Sequence, residues 1–264
     1  MPRFSANLSM LFDELPFPER FAAARAAGFD AVECQFPYAW PAQTLARALR
    51  EHSLEMVLHN LPAGDWDRGE RGIACHPDRV DEFRAGVARG IEYAQALGCE
   101  RLNCLAGIVP EGVDRPTARR TLIENLRHAA SALEQAGIQL LIEPINHFDI
   151  PGFLVSRSAE AVQIIDDAGC ANLFLQYDIY HAQRMEGELA NTIVRLLPRI
   201  AHMQLADNPG RHEPGSGEIR FDFLFDFIDR AGYPGWIGCE YKPLADTVQG
   251  LSWLHAWRAR QTAR

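Results

Sequence analysis

The sequence has little that would build a disulfide-stapled fold or carry a chain into a membrane. Its six cysteines (Cys34, Cys75, Cys99, Cys104, Cys170 and Cys239) are scattered without a CxxC pair. Several sit inside apolar runs such as LNCLAG and WIGCEY, which reads as reduced core thiols and argues against a disulfide framework. Nowhere do about 18 apolar residues run together, so no membrane-spanning helix is expected. The opening MPRFSANLSMLFDELPF lacks the apolar stretch and small-residue cleavage site of a secretory signal, which makes the cytoplasm the expected location. Neither GxGxxG nor GxxxxGK[ST] occurs, which argues against a dinucleotide fold and a phosphate loop. Positive charge is not in excess: the formal net charge is −9, so neither nucleic acid nor a membrane is an expected partner. No linker, low-complexity tract or charge block divides the chain, and residues 1–264 are read as one domain.

What is present is regular. With 264 residues, 47% of them hydrophobic and 23% charged, the chain can bury one large core, although two small domains would also fit the length. Short β-rich runs at 3–10, 30–36, 54–60, 101–107, 138–146, 172–178, 200–207 and 235–241 alternate with amphipathic segments at 18–27, 42–51, 78–97, 116–136, 157–168, 181–197, 221–231 and 248–260. Eight strands alternating with eight helices over this length predict an α/β fold, a closed (β/α)8 TIM barrel. Two irregular stretches, 60–79 and 207–219, follow the third and seventh strands and so belong on the catalytic face, where they are candidate lids.

Four strand ends carry oxygen ligands: Glu143 in LLIEPIN, Asp178 in LQYDIYH, Gln204 in HMQLAD and Glu240 in GCEYKP, separated by 35, 26 and 36 residues. Each gap is about one βα repeat, so successive strands would deliver these side chains to one rim. Three carboxylates brought together repel unless a cation lies among them, and carboxylate and amide oxygens suit Mg²⁺ or Mn²⁺ better than zinc. The alternative for each residue is a salt bridge to a nearby Lys or Arg. Other polar residues fall at the same rim: Asn7, Glu33, His59, Asn60, Asn103, His181 and Lys242. Of these, His59 could equally be a hydrogen-bonded core residue, and Asn103 is read as one. His202 precedes Gln204 by two positions and should point to the same side of its strand, against substrate or behind a ligand. In the loop after the seventh strand, Arg211 beside His212 and Glu213 could grip a substrate carboxylate through two N–H groups. Arg68, Arg71 and Lys242 are the competing anion binders.

The longer words RFSANLSMLF, HNLPAGDWDRGERGIAC, LLIEPINHFDIPGF, QYDIYHAQRMEGEL and ADNPGRHEPGSGEI, followed by GCEYKP, resemble the hydroxypyruvate isomerase family nearly end to end. That family belongs to the xylose-isomerase-like barrels. The resemblance implies an isomerase of a small hydroxy-keto acid working by metal-assisted proton transfer through an enediolate. In it, Glu143 and Glu240 look like the acid/base pair, and Glu143, Asp178, Gln204 and Glu240 look like the metal set. Asn7, His59, His181, His202, Arg211 and Lys242 are the expected substrate contacts. The chain is also similar to 2-oxo-tetronate isomerases in MPRFSANLSM and GWIGCEYKP, while the segment LHNLPAGDWDRGERGIAC tilts the resemblance toward the three-carbon substrate. A metal-dependent phosphodiesterase or endonuclease on the same barrel would need several zinc-binding histidines and a basic groove. Trp253 and Trp257 either pack a terminal helix onto the barrel or face a second copy in a homo-oligomer.

Overall fold

The computed structural model describes residues 1–262. Eight strands, β1 (Arg3–Asn7), β2 (Ala31–Cys34), β3 (Glu55–Asn60), β4 (Arg101–Cys104), β5 (Gln139–Ile142), β6 (Leu173–Asp178), β7 (Ile200–Leu205) and β8 (Trp236–Cys239), pair in parallel in chain order. The barrel closes where β1 meets β8, with Arg3 opposite Trp236 and Ala6 opposite Cys239. Because both faces of each strand are covered, the strands read as nearly continuous buried runs. They are shorter than the apolar pattern suggests. The segment 138–146 is strand only to Ile142, because Pro144 has no N–H to give a ladder.

The helices are α1 (Arg20–Ala26), α2 (Ala42–Glu51), α3 (Val80–Leu97), α4 (Arg115–Gln135), α5 (Ser158–Ala168), α6 (Ile179–Met185), α7 (Leu189–Leu196), α8 (Phe221–Arg230), α9 (Thr247–Gly250) and α10 (Ser252–Thr262). The single helix expected at 181–197 is divided in two. Gly187 at φ 65° and Glu188 at φ 48° place two successive residues in the left-handed region, which a right-handed helix cannot pass through. Trp257 is 3% exposed, and Trp253 lies 5.2 Å from Phe4, centroid to centroid. Those aromatics therefore pack α10 onto the barrel. Among the described residues no helix is long and apolar enough to cross a membrane, and all six cysteines are free thiols.

Side chains alternate along each strand, so every second residue enters the barrel. At the N-terminal end the interior is apolar, built on Ala31, Leu58, Leu141 and Trp236. Toward the C-terminal end Glu33, Gln176, His202, Asn103, Glu143, Asp178, Gln204 and Glu240 are buried. The larger apolar core lies between sheet and helices, around Phe21, Leu45, Val87, Leu122, Ile164 and Ile228.

Both rim loops are fastened by their own contacts. In 60–79, Asp65 caps the turn Trp66–Arg68, Arg71 stacks 4.1 Å over Trp66 and Glu70 pairs with Arg79. Gly72, at φ 111°, lies so close to the Leu105 carbonyl that a Cβ would come within 2.5 Å of it. In 207–219, the Asp207 carboxylate accepts from the backbone N–H groups of Asn208, Gly215, Gly217 and Ile219. That holds the loop with Arg211 turned inward.

Candidate active site

Glu143 follows the last residue of β5 and Glu240 the last of β8; Asp178 ends β6 and caps α6 through Tyr180 N–H at 2.7 Å. All three are buried. Glu143 Oε2 accepts from Asn103 Nδ2 at 2.9 Å, and the same amide reaches Asn60 Oδ1 at 3.1 Å. Glu240 Oε1 accepts from Gln35 Nε2 at 3.1 Å and Asn7 Nδ2 at 3.3 Å, while its Oε2 accepts from Arg211 at 2.6 Å. The Arg211 guanidinium is also 3.9 Å from Asp178 Oδ2 and 5.2 Å from the Tyr180 ring.

Burial, reinforced by the charges of Glu240 and Asp178, pushes the Glu143 carboxyl well above its ordinary range; Arg211 and Asn103 offset this only in part. Burial likewise raises Asp178, against the opposing pull of Arg211. Arg211 thus supplies one of the cations that three converging carboxylates require. It does not satisfy them all: Asp178 Oδ2 is buried without a hydrogen-bond donor.

One ligand atom each from Glu143, Asp178 and His181 lies within 4.8 Å of the others. An orphaned carboxylate oxygen beside a second buried carboxylate fits a hard divalent cation. Gln204 sits beneath, its Nε2 donating to Glu33 Oε1 at 2.8 Å and its Oε1 accepting from Gln176 at 2.7 Å. Because the Glu33 carboxylate can only accept, the Gln204 oxygen is turned away from it. Glu33 also accepts from Ser5, Asn7 and His202. Burial opposes its ionisation, but the charge and hydrogen bond of His202, with the hydrogen bonds of Gln204 and Asn7, hold its carboxyl below the usual range.

The carboxylates open onto a cavity of about 70 Å³, lined by Glu143, Glu240, Arg211 and His181 together with Gln35, Asn60, Trp66, Leu105, Ile145, Asp149 and Ile150. A larger groove of about 800 Å³ lies outside the barrel between α4 and α5. There Arg119 pairs with Asp167, and Arg127 donates to the Asp167 and Ala168 carbonyls.

Of the expected substrate contacts, His181 and Arg211 line the cavity and four residues do not. His59 faces the helix layer, edge-on to Tyr38 at 5.8 Å, because strand alternation gives the inward position to Asn60. Burial lowers its pKa to about 4. Asn7 and His202 are buried on the Glu33 carboxylate. The Lys242 side chain is exposed, and only its backbone meets Arg211 O and His212 Nδ1. Among the competing anion binders, Arg68 is an exposed partner of Asp65 and Arg71 stacks on Trp66. Sequence reading passed over Gln35, Trp66, Asn146 and Asp149. Gln35 was within reach, two residues beyond the inward Glu33; the other three lie on loops with no period to follow.

The closed eight-stranded barrel, with buried carboxylates gathered at the C-terminal ends of its strands, defines a TIM-barrel enzyme. The chain belongs to the xylose isomerase-like TIM barrel family, whose profile matches residues 21–257. Hydroxypyruvate isomerase of Escherichia coli strain K12 is 55% identical over 258 residues, which is 98% of this chain and 100% of that protein. A 2-oxo-tetronate isomerase of Cupriavidus necator is 45% identical over 98% of this chain and 100% of its own length. Among solved structures, one from Brucella melitensis described as an AP endonuclease of family 2 superposes with a TM-score of 0.95 at 44% identity, covering 97% of this chain and 99% of that one.

Proposed function

We propose that this protein is an isomerase interconverting hydroxypyruvate and 2-hydroxy-3-oxopropanoate by proton transfer through an enediolate. The observation that carries the reading is the pair Glu143 and Glu240 facing one small buried cavity with the Arg211 guanidinium beside them. The two substrate forms differ by one proton moved between adjacent carbons and one moved between their oxygens, and two carboxylates facing the cavity can serve the two carbons. One carboxylate takes the C–H proton, leaving the enediolate, the hydroxyl proton passes from the oxygen that becomes the carbonyl to the one that becomes the hydroxyl, and the other carboxylate returns a proton to the neighbouring carbon. The roles exchange when the reaction reverses. Arg211 holds the substrate carboxylate, and His181 lies against the reacting oxygens. A divalent ion, Mg²⁺ foremost and Mn²⁺ next, held by Glu143, Asp178 and Glu240, and by Gln204 once its amide oxygen turns from Gln176 toward the carboxylates, would supply Lewis-acid stabilisation of the developing negative charge.

Full-length identity of 55% to a hydroxypyruvate isomerase supports the three-carbon substrate. The second reading, a four-carbon 2-oxo-tetronate, draws on the 45% relative. The nuclease description applies to the Brucella protein alone. Here the site is oxygen-rich, built from buried side chains, and set in a chain of net charge −9, which disfavours a nucleic-acid strand.

The test is turnover by EDTA-stripped protein, with and without Mg²⁺ or Mn²⁺, on hydroxypyruvate and on 2-oxo-tetronate in parallel, following product through an NADH-dependent reductase. Metal-restored turnover of hydroxypyruvate is the expected result. Turnover of the tetronate alone moves the protein to the four-carbon activity, and no turnover of either removes the isomerase reading.

A further inference from the structure

His181 is the only nitrogen ligand grouped with Glu143 and Asp178 among the described residues, and its place there invites the role of metal ligand. The hydrogen bonds behind it argue otherwise. Asn146, fully buried, lies in the loop after β5. Its Oδ1 accepts from the backbone N–H groups of Phe148 at 3.1 Å and Asp149 at 2.9 Å. Those two donors fix which end of the amide is oxygen, so the NH₂ end must face the other way. There it meets Asp149 Oδ2 at 3.0 Å and His181 Nδ1 at 2.6 Å. Asp149 is itself held by the Tyr180 hydroxyl at 2.9 Å and Arg184 at 2.6 Å, so it keeps the amide from turning.

An NH₂ group only donates, so the imidazole nitrogen it meets must accept. The ring proton then sits on the other nitrogen, Nε2, which is 3.6 Å from Asp178 Oδ2 and 3.9 Å from Glu143 Oε1. We infer that Asn146 is a positioning residue that locks His181 in the Nε2–H form, so that His181 meets the cavity as a fixed hydrogen-bond donor to a substrate oxygen and not as a metal ligand. A donor aimed where an enediolate oxygen gains charge stabilises it without reorganisation; a ring bound to metal through Nε2 would have lost that proton. This role deepens the proposed isomerase reading and rests on it for the substrate, but the proton position is a property of the protein alone.

The test is therefore made first without substrate. Histidine-selective ¹⁵N labelling of the full chain, with two-bond ring correlations and the His181 signals assigned by their loss in His181→Gln, reports which nitrogen bears the proton. Nε2 protonated and Nδ1 bare is expected, unchanged on adding Mg²⁺. A proton on Nδ1, or an Nε2 that loses its proton when Mg²⁺ binds, overturns the inference. Asn146→Asp replaces the donating NH₂ by an acceptor and should move the proton to Nδ1. It should also lower kcat on hydroxypyruvate roughly 10²-fold, the usual effect of removing one oxyanion donor, with KM little changed. An unmoved proton in a folded Asn146→Asp protein also overturns it. If the protein turns over neither keto acid while the proton sits on Nε2, the isomerase reading fails and the tautomer assignment stands.

Discussion

Replacing Glu143 by Gln should lower turnover by at least roughly 10²–10⁴-fold and at the same time stabilise the metal-free protein. The side chain is 4% exposed, and its carboxylate has a ligand oxygen within 4.8 Å of one from Asp178. Two like charges at that distance repel by at least about 3.5 kcal/mol at an effective dielectric constant of 20. The Arg211 guanidinium offsets part of this, so a gain of roughly 2 kcal/mol is expected, or about 4–8 °C in Tm at roughly 2–4 °C per kcal/mol. The gain must depend on pH. Burial, with Glu240 and Asp178, lifts the Glu143 carboxyl above its ordinary 4.5. Its contribution to wild-type stability is therefore fully present below the unfolded value and is lost as pH rises through the folded one. The Gln variant has nothing to lose, so its advantage should be small at pH 4 and grow toward pH 8. Scanning calorimetry of EDTA-treated proteins over that range decides it. A Gln variant less stable than wild type at pH 8, or an advantage independent of pH, would refute the claim that these carboxylates repel one another in the empty site.

Three further outcomes follow from the same contacts. Glu33→Gln leaves one acceptor oxygen for the four donors Ser5, Asn7, His202 and Gln204. At about 1–3 kcal/mol for each unsatisfied buried donor, urea denaturation should show a loss of roughly 2–5 kcal/mol; a neutral variant would mean that the network is not satisfied as described. Arg211→Lys replaces a forked donor by a point charge, and steady-state kinetics should show KM for hydroxypyruvate rising about tenfold or more. An unaltered KM would take Arg211 away from the substrate carboxylate. Trp257→Ala, which empties the contact with Phe225 at 5.4 Å, should cost about 3–5 kcal/mol in chemical denaturation, and a smaller loss would mean that α10 is not packed onto the barrel as described.

The barrel was legible because a strand covered on both faces is apolar nearly throughout, so each of the eight stands out between amphipathic helices. The spacing of Glu143, Asp178, Gln204 and Glu240 was legible for a related reason, since each strand of a barrel ends at the same rim. Parity was the weaker inference. His59 and Asn60 are neighbours, and only the register of β3 against β4, with Asn60 opposite Asn103, decides that the asparagine enters the barrel. Lys242 follows Glu240 by two residues, yet the chain has left β8 at Cys239 and strand alternation no longer governs it. The Asn146 amide depends on a loop whose shape no local pattern announces. The break between α6 and α7 needed Glu188 in a left-handed conformation that its residue type does not suggest.

The central claim is that Glu143 and Glu240 carry the two protons. It is tested most directly by measuring hydroxypyruvate turnover of Glu143→Gln and Glu240→Gln beside wild type, each shown by circular dichroism to be folded. Both should fall by at least roughly 10²–10⁴-fold, the usual contribution of a positioned acid or base. Substantial residual activity in either folded variant would contradict the account for that residue.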